Sequence, residues 1–266
     1  MRRTILTVFF AVLTSALAFA QSTSPEALYE RGMDAISGAG PSRNDRDALE
    51  YFRRSAELGY GPAQVALGYF YETGTLTAGS QSQAVDWYRK AANHGDVLAQ
   101  WMLGRSYFNG GGIQQDLNAA QEWFKSAADQ GNPFAAYYLA RILADRDYAK
   151  APAMYKVAAD QGLPPAQYYY AKALKEGRGI ELDRFNAYVW FVVALDAGYS
   201  TAQRDLAELD GGGFLSAAQI AEAKGKAREL EQTVIRAVAA RGCTGWDGEL
   251  NEFPSPPPPK LQRFCR

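Results

Sequence analysis

Two short patterns of apolar and small residues alternate along the chain and predict a series of helix pairs. The first, A-x-x-x-L-G-x-x-Y, places Ala, Leu and Tyr at positions i, i+4 and i+8, which lie on one face of an α-helix. It begins at Ala63, Ala99, Ala135, Ala166 and Ala202 and, in a degenerate form, at Ala27. The steps between successive starts are 36, 36, 36, 31 and 36 residues.

The second pattern, A-x-x-[WYM]-[YF]-x-x-[AS]-[AL]-x-x-G, follows each of the first five copies and also has helical spacing. It begins at Ala48, Ala84, Ala120, Ala151 and Ala187 and closes on Gly59, Gly95, Gly131, Gly162 and Gly198. Glycine at the end of a helix predicts a left-handed C-cap. Each repeat is therefore a helix A, a loop, a helix B and a glycine stop. Such hairpins bury their apolar faces only by stacking, which predicts an all-α, right-handed α-solenoid of about five to six repeats.

A different helical segment follows the last repeat. Ser216 and Gln219 predict a capping box that opens a helix running to about Arg241, and this helix is expected to cap the array. The chain then divides into a signal peptide at 1–20, a repeat solenoid at 21–209, a capping helix at 210–241 and a Pro-rich tail at 242–266.

The first twenty residues have the order of a bacterial secretory signal. Arg2 and Arg3 precede an apolar run from Ile5 to Ala20, which ends Ala-Phe-Ala before Gln21. This run of 16 residues is short for a membrane span of about 20 residues. We expect cleavage near Ala20/Gln21, a periplasmic or secreted protein, and no stable membrane anchor; an uncleaved anchor is the alternative.

Composition narrows the chemistry that this chain can perform. The 28 basic and 29 acidic residues are nearly balanced, which argues against a nucleic-acid partner. A single His and two Cys are too few for a zinc finger or a multi-His metal site, so no metal is expected. The acidic, Ser and Thr residues show no nucleophile-elbow or paired-carboxylate spacing, and we expect no catalytic residue and no cofactor. Oligomeric state does not follow from these counts.

Two sequence features suggest catalysis or phosphate binding but have simpler explanations. His94 occupies the turn after a helix B, where the other repeats carry Leu58, Gln130, Gln161 and Ala197, so we interpret it as a surface turn residue. The glycines at 110–112 follow a helix rather than a strand, which favours a hairpin turn over a phosphate-binding loop.

The tail contains both cysteines and a run of four prolines. Cys243 and Cys265 would form one disulfide in an exported protein, and Pro256–Pro259 would adopt a polyproline conformation. Closing a loop of about 20 residues contributes on the order of 3 kcal/mol. A tail with free thiols is the alternative.

The candidate binding surface lies on the helix A face directed away from helix B, two and six residues after each first alanine. Down the array these positions are occupied by Val65/Tyr69, Trp101/Arg105, Tyr137/Arg141, Tyr168/Lys172 and Arg204/Glu208. Aromatic residues and Arg commonly anchor protein interfaces, so this aromatic and basic ladder is expected to bind an acidic or amphipathic peptide, or a glycan, on the concave side of the solenoid. The equally weighted alternative is that its aromatics fill gaps between repeats.

The chain resembles the Sel1-like repeat family, a relative of the tetratricopeptide repeats, over roughly residues 25 to 200. Beside the two patterns, the family loop Y-x-x-G-x-G-[VI]-x-x-D is matched at Tyr107, Gly110, Gly112, Ile113 and Asp116, and again at Gly177, Gly179, Ile180 and Asp183. Repeat four departs from it with a loop shortened by five residues.

The resemblance implies a non-enzymatic adaptor or regulator that binds proteins or peptides in the bacterial envelope. Partners of that kind include a sensor kinase's periplasmic domain and exopolysaccharide machinery. One alternative is an enzyme acting on the cell wall or on β-lactams, like cysteine-rich relatives in which a Cys pair staples each repeat; the repeats here contain no Cys. A secreted factor that binds host proteins is the other alternative.

Overall fold

A computed structural model describes residues 24–37 and 44–240, and every regular element in these residues is an α-helix. The helices are α1 (Pro25–Ser37), α2 (Asp45–Glu57), α3 (Gly61–Thr73), α4 (Gln81–Asn93), α5 (Val97–Asn109), α6 (Leu117–Asp129), α7 (Pro133–Arg146), α8 (Ala151–Asp160), α9 (Pro164–Glu176), α10 (Arg184–Asp196), α11 (Ala202–Gly211) and α12 (Ala217–Ala240). The predicted all-helical class is confirmed. The signal segment, both cysteines and the proline run lie outside the described residues.

The chain forms two compact units, Met1–Ala120 and Gln121–Arg266. In the first unit α1 packs on α2, α2 on α3, α3 on α4 and α4 on α5. In the second unit α7 packs on α8, α8 on α9, α9 on α10, and α10 on both α11 and α12. Packing of consecutive helix pairs is typical of an α-solenoid, as the repeated patterns predict.

The recurring small and aromatic residues build the core of each unit. The first alanine of every helix A from α3 to α11 is fully buried. The Tyr or Phe at the fifth position of the second pattern is buried as well, and these residues are Phe52, Tyr88, Phe124, Tyr155 and Phe191. A methyl group on Gly68 would overlap the ring of Tyr88, so glycine at this position allows the two helices to pack closely.

The glycine stops close every helix B in the same way. The φ angles of Gly59, Gly95, Gly131, Gly162 and Gly198 lie between 88° and 97°. At the first stop the amide of Gly59 donates to Ala56 O at 3.0 Å and that of Tyr60 donates to Ser55 O at 3.2 Å. These two bonds define a Schellman motif, and they recur after each of the other four B helices. The left-handed C-caps predicted from sequence are confirmed.

A buried glutamine joins the end of one repeat to the start of the next. The side-chain amides of Gln64, Gln100 and Gln167 donate to Ala56 O, Ala92 O and Ala159 O at 3.0, 3.4 and 3.4 Å. Each accepting carbonyl belongs to the last turn of the preceding helix B and also accepts a hydrogen bond from the amide of the glycine stop. These glutamines therefore add a side-chain hydrogen bond across the junctions between repeats.

The Gly-rich loops are structural turns, as predicted. Gly110 and Gly112 have φ angles of 75° and 73°, and a methyl group on Gly112 would overlap the backbone carbonyl of Gln81 at the start of α4. The loop ends at Asp116, whose carboxylate accepts hydrogen bonds from the amides of Asn118 and Ala119 at the start of α6. The loop motif thus combines a close backbone approach with an N-cap.

The predicted capping box is present at the start of α12. The amide of Ser216 donates to Gln219 Oε1 at 2.9 Å, and the amide of Gln219 donates to Ser216 Oγ at 3.3 Å. Helix α12 buries Ala223 and Ala227 and, in its second half, Val234, Ile235 and Val238.

Candidate functional site: the helix A face

The helix A face is the candidate binding site formed by the seven ladder residues from Tyr69 to Lys172, and each unit carries part of it. Tyr69, Trp101 and Arg105 belong to the first unit, and Tyr137, Arg141, Tyr168 and Lys172 belong to the second. The aromatic residues and the cationic residues of the helix A face have different environments.

In the first unit the aromatic members are packed and the cation is paired. Trp101 is 2% exposed, and Tyr69 packs beside Phe70 at the edge of the core. The guanidinium carbon of Arg105 lies 5.1 Å from the centre of the Trp101 ring, and its Nη2 pairs with Glu72 of α3. Glu72 also accepts a hydrogen bond of 2.7 Å from the Tyr88 hydroxyl. Arg105 is therefore held in place by an aromatic face and a carboxylate.

In the second unit, Arg141 covers a group of tyrosines. Its guanidinium carbon lies 5.8 Å from the ring of Tyr137 and 5.3 Å from that of Tyr138. Tyr137 is 7% exposed, and its ring lies 6.0 Å from that of Tyr155. Burial raises the pKa values of both Tyr137 and Tyr155, since a phenolate would lose its hydration there.

Tyr168 connects the face to a charged cluster. Its hydroxyl donates to Asp205 Oδ2 at 3.1 Å, and Lys175 Nζ lies 2.7 Å from both Asp205 Oδ1 and Glu208 Oε2. Burial, followed by the negative charge of Asp205, raises the pKa of Tyr168 to about 12. The Lys172 side chain is 41% exposed and lies 3.9 Å from Glu176 on the same helix.

Burial separates the face into two layers. Trp101, Tyr137 and Tyr168 are inner residues with no more than 7% exposure, which fits the alternative that these aromatics fill gaps between repeats. Removing an inner aromatic such as Trp101 would cost about 3–5 kcal/mol, so its substitution tests stability rather than binding. A partner would contact the cations that lie outside these inner aromatics, above all Lys172.

Sequence reasoning missed Glu72, Lys175 and Asp205. Glu72 and Lys175 each lie nine residues after the first alanine of a helix A, and Arg105 and Glu208 each lie six residues after the first alanine of the next. The available signal in the sequence was a pair of opposite charges separated by 33 residues. The acidic residue comes first in the first unit, and the basic residue comes first in the second unit.

His94 was the other residue that the sequence suggested for chemistry, and the structure places it at the end of a helix. His94 is an exposed helix C-cap residue whose Nδ1 lies 2.8 Å from Lys90 O.

Within residues 24–37 and 44–240, no cluster of three or more His, Cys, Asp or Glu side chains is suited to hold a metal ion. Over the same residues, none of the helices combines the length and apolar character needed to cross a membrane.

Comparison with known proteins agrees with the repeat organisation. The Sel1 repeat model matches residues 25–60, 61–96, 97–132, 133–163 and 164–199, which is more than half of the chain. The chain belongs to the Sel1 repeat family. Sel1 repeats generally mediate protein–protein interaction, and proteins built from them are generally non-catalytic adaptors. A search of curated proteins finds no match to this chain.

Two solved structures illustrate the likeness. A Sel1 repeat protein from Oxalobacter formigenes is 26% identical, with a TM-score of 0.65, over 80% of this chain and 86% of that one. The c5321 protein, a protective antigen of uropathogenic Escherichia coli with the same repeat fold, is 25% identical with a TM-score of 0.49. That match covers 95% of this chain but 62% of the antigen.

Proposed function

We propose that the protein is a non-enzymatic adaptor or regulator that binds a protein or peptide partner in the bacterial cell envelope. The observation that carries this proposal is the tandem array of five Sel1 repeats, because such repeats mediate protein–protein interaction. A sensor kinase's periplasmic domain or a component of exopolysaccharide machinery is the kind of partner expected. A secreted factor that binds host proteins would use the same repeats outside the cell.

The envelope location is supported by the secretory pattern of residues 1–20. Cell fractionation of a C-terminally tagged full chain is expected to recover the protein from the periplasm or medium at the mass of a chain that begins at Gln21. Deletion of residues 2–20 should retain it in the cytoplasm. Recovery of the full chain from the cytoplasm would contradict the proposed location.

The outer cations of the second unit support an acidic partner surface. Lys172 is accessible on α9, and its contact to Glu176 is long at 3.9 Å. Substitution of Lys172 by Glu should lower partner capture several-fold in a quantitative envelope pull-down, because it reverses a charge at an interface.

Lys125→Glu is the matched control. Lys125 lies on a helix B, is 61% exposed and pairs with Asp129 four residues later, as Lys172 pairs with Glu176. Equal capture by wild type and both variants would contradict a role for the helix A face. In parallel, hydrolysis of nitrocefin or covalent labelling by penicillin would contradict the non-enzymatic assignment.

A further inference from the structure

A second candidate site lies in the second unit, where residues of α10, α11 and α12 line an open cleft of about 490 Å³. We call it the terminal cleft. Its apolar side includes Val192 of α10 and Leu206 of α11. Lys224 and Arg228 of α12 also line the cleft. This volume falls within the range of ligand pockets, roughly 300–1,000 Å³.

The amino-acid sequence of α12 explains why a cleft forms here. Each helix B of the five repeats buries a bulky aromatic residue, such as Phe191, between helices. Helix α12 has no aromatic residue, and it packs through Ala223 and Ala227. Small side chains at these contacts leave space that a buried aromatic residue would occupy in a repeat.

The two cations of the cleft are available to a ligand. Lys224 and Arg228 are exposed and lie one helical turn apart, so they project from the same side of α12. Among residues 24–37 and 44–240, no carboxylate lies within ion-pair distance of either side chain. Lys226, on another side of the same helix, instead pairs with Glu222 and lies over Phe185.

The acidic residues of the cleft lie on the other two helices. Asp210 of α11 accepts a hydrogen bond from the buried hydroxyl of Tyr188, so part of its acceptor capacity is used. Asp196 is the last residue of α10 and is exposed. A ligand carboxylate is therefore directed toward α12, away from these two acids.

We propose that the terminal cleft binds an acidic peptide segment of a partner protein, with an aliphatic side chain on Val192 and Leu206 and flanking carboxylates on Lys224 and Arg228. The occupant follows from charge complementarity to the two cations and from the apolar residues Val192 and Leu206 in the same cleft. The site is separate from the helix A face and does not depend on the function proposed for that face.

Fluorescence anisotropy of the full mature chain tests the proposal with a labelled synthetic peptide that contains the core Glu-Leu-Leu-Glu. The same peptide with Gln in place of both Glu measures the contribution of charge. We expect saturable binding of the Glu peptide, and binding of the Gln peptide weaker by at least about tenfold, since two interfacial ion pairs contribute on the order of 1.4 kcal/mol together.

Lys224→Glu with Arg228→Glu should reduce affinity for the Glu peptide by at least about tenfold. The double variant Lys226→Glu with Arg236→Glu makes the same change in net charge on the same helix, outside the cleft lining, and should bind like the wild type. Equal losses in the two double variants would show binding by bulk charge and overturn the proposal, as would no binding at millimolar peptide. A dimer in sedimentation that only the cleft variant dissociates would identify a second copy as the occupant and overturn it too.

The Lys172→Glu variant separates this proposal from the function proposed above. It leaves the cleft intact and should bind the Glu peptide normally. Loss of peptide binding in this variant would place the peptide on the helix A face and overturn the cleft assignment.

Discussion

The carboxylate of Glu72 pairs with the guanidinium of Arg105, which joins α3 to α5 in the first unit. Lys175 and Glu208 make the same connection between α9 and α11 in the second unit, with the charges reversed. The two side chains of the first pair are 30% and 16% exposed, so this pair is only partly screened by solvent. An ion pair thus links successive A helices in each unit.

Charge reversal should show that the Glu72–Arg105 pair is a specific contact. We expect Glu72→Arg or Arg105→Glu alone to lower the free energy of unfolding by about 1–3 kcal/mol, because each places like charges together. The combined variant should recover part of that loss, as measured by urea denaturation followed by circular dichroism. Simple addition of the two losses would show that the residues do not interact.

Lys175 should be more important for stability than Lys172. Lys175→Met leaves Asp205, which is 5% exposed, without its cation and should cost about 3 kcal/mol. Lys172→Met removes only an exposed contact and should change stability by less than about 0.5 kcal/mol. Similar losses from the two substitutions would contradict the buried role of Lys175.

The Lys175 interaction should also depend on pH. Burial lowers the pKa of Lys175, but the hydrogen bonds from its ammonium group to Asp205 and Glu208 outweigh this effect and raise the pKa overall. Its stabilisation is therefore fully present below the unfolded pKa of about 10.4 and is lost as pH rises through the higher folded value. The stability difference between wild type and Lys175→Met should shrink at strongly alkaline pH. A difference that grows with alkaline pH would contradict the raised pKa.

Gly112 and Gly95 should differ in tolerance to alanine although both have positive φ. At Gly95, with φ of 89°, a Cβ meets no atom within 4 Å, so Gly95→Ala should cost only the left-handed backbone penalty of about 1–2 kcal/mol. At Gly112 a Cβ would overlap the backbone of Gln81, so Gly112→Ala should lower the unfolding midpoint further. Equal midpoints would show that the loop does not pack as described.

Tyr188 should titrate far above an exposed tyrosine. Burial, followed by its hydrogen bond to Asp210, raises the pKa of Tyr188 to about 12. Because the folded value is raised, this contribution to stability is full below the unfolded pKa of about 10 and is lost as pH rises through about 12. Absorbance titration near 295 nm should lose a late component in Tyr188→Phe, whose stability should fall less between pH 10 and 12. An unchanged titration curve would contradict this assignment.

Much of the fold could be predicted from local sequence signals. The glycine stops, the Ser216–Gln219 capping box and the Asp116 N-cap depend on residues only a few positions apart, so their geometry follows from the chain itself. The helix A face was predicted less completely. Its positions could be counted along a helix, but a period of 3.6 residues does not say whether Trp101 faces solvent or a neighbouring helix.

The sequence by itself determined the all-α class, the helix boundaries near each glycine stop and the repeat spacing, because short-range hydrogen bonding and apolar periodicity specify them. The tertiary structure decided which side chains became accessible. It buried Trp101, Tyr137 and Tyr168, paired Glu72 with Arg105, and left a cleft beside Lys224 and Arg228. These outcomes depend on packing between helices distant in sequence, where the volume of a neighbour determines both exposure and the strength of a charge interaction.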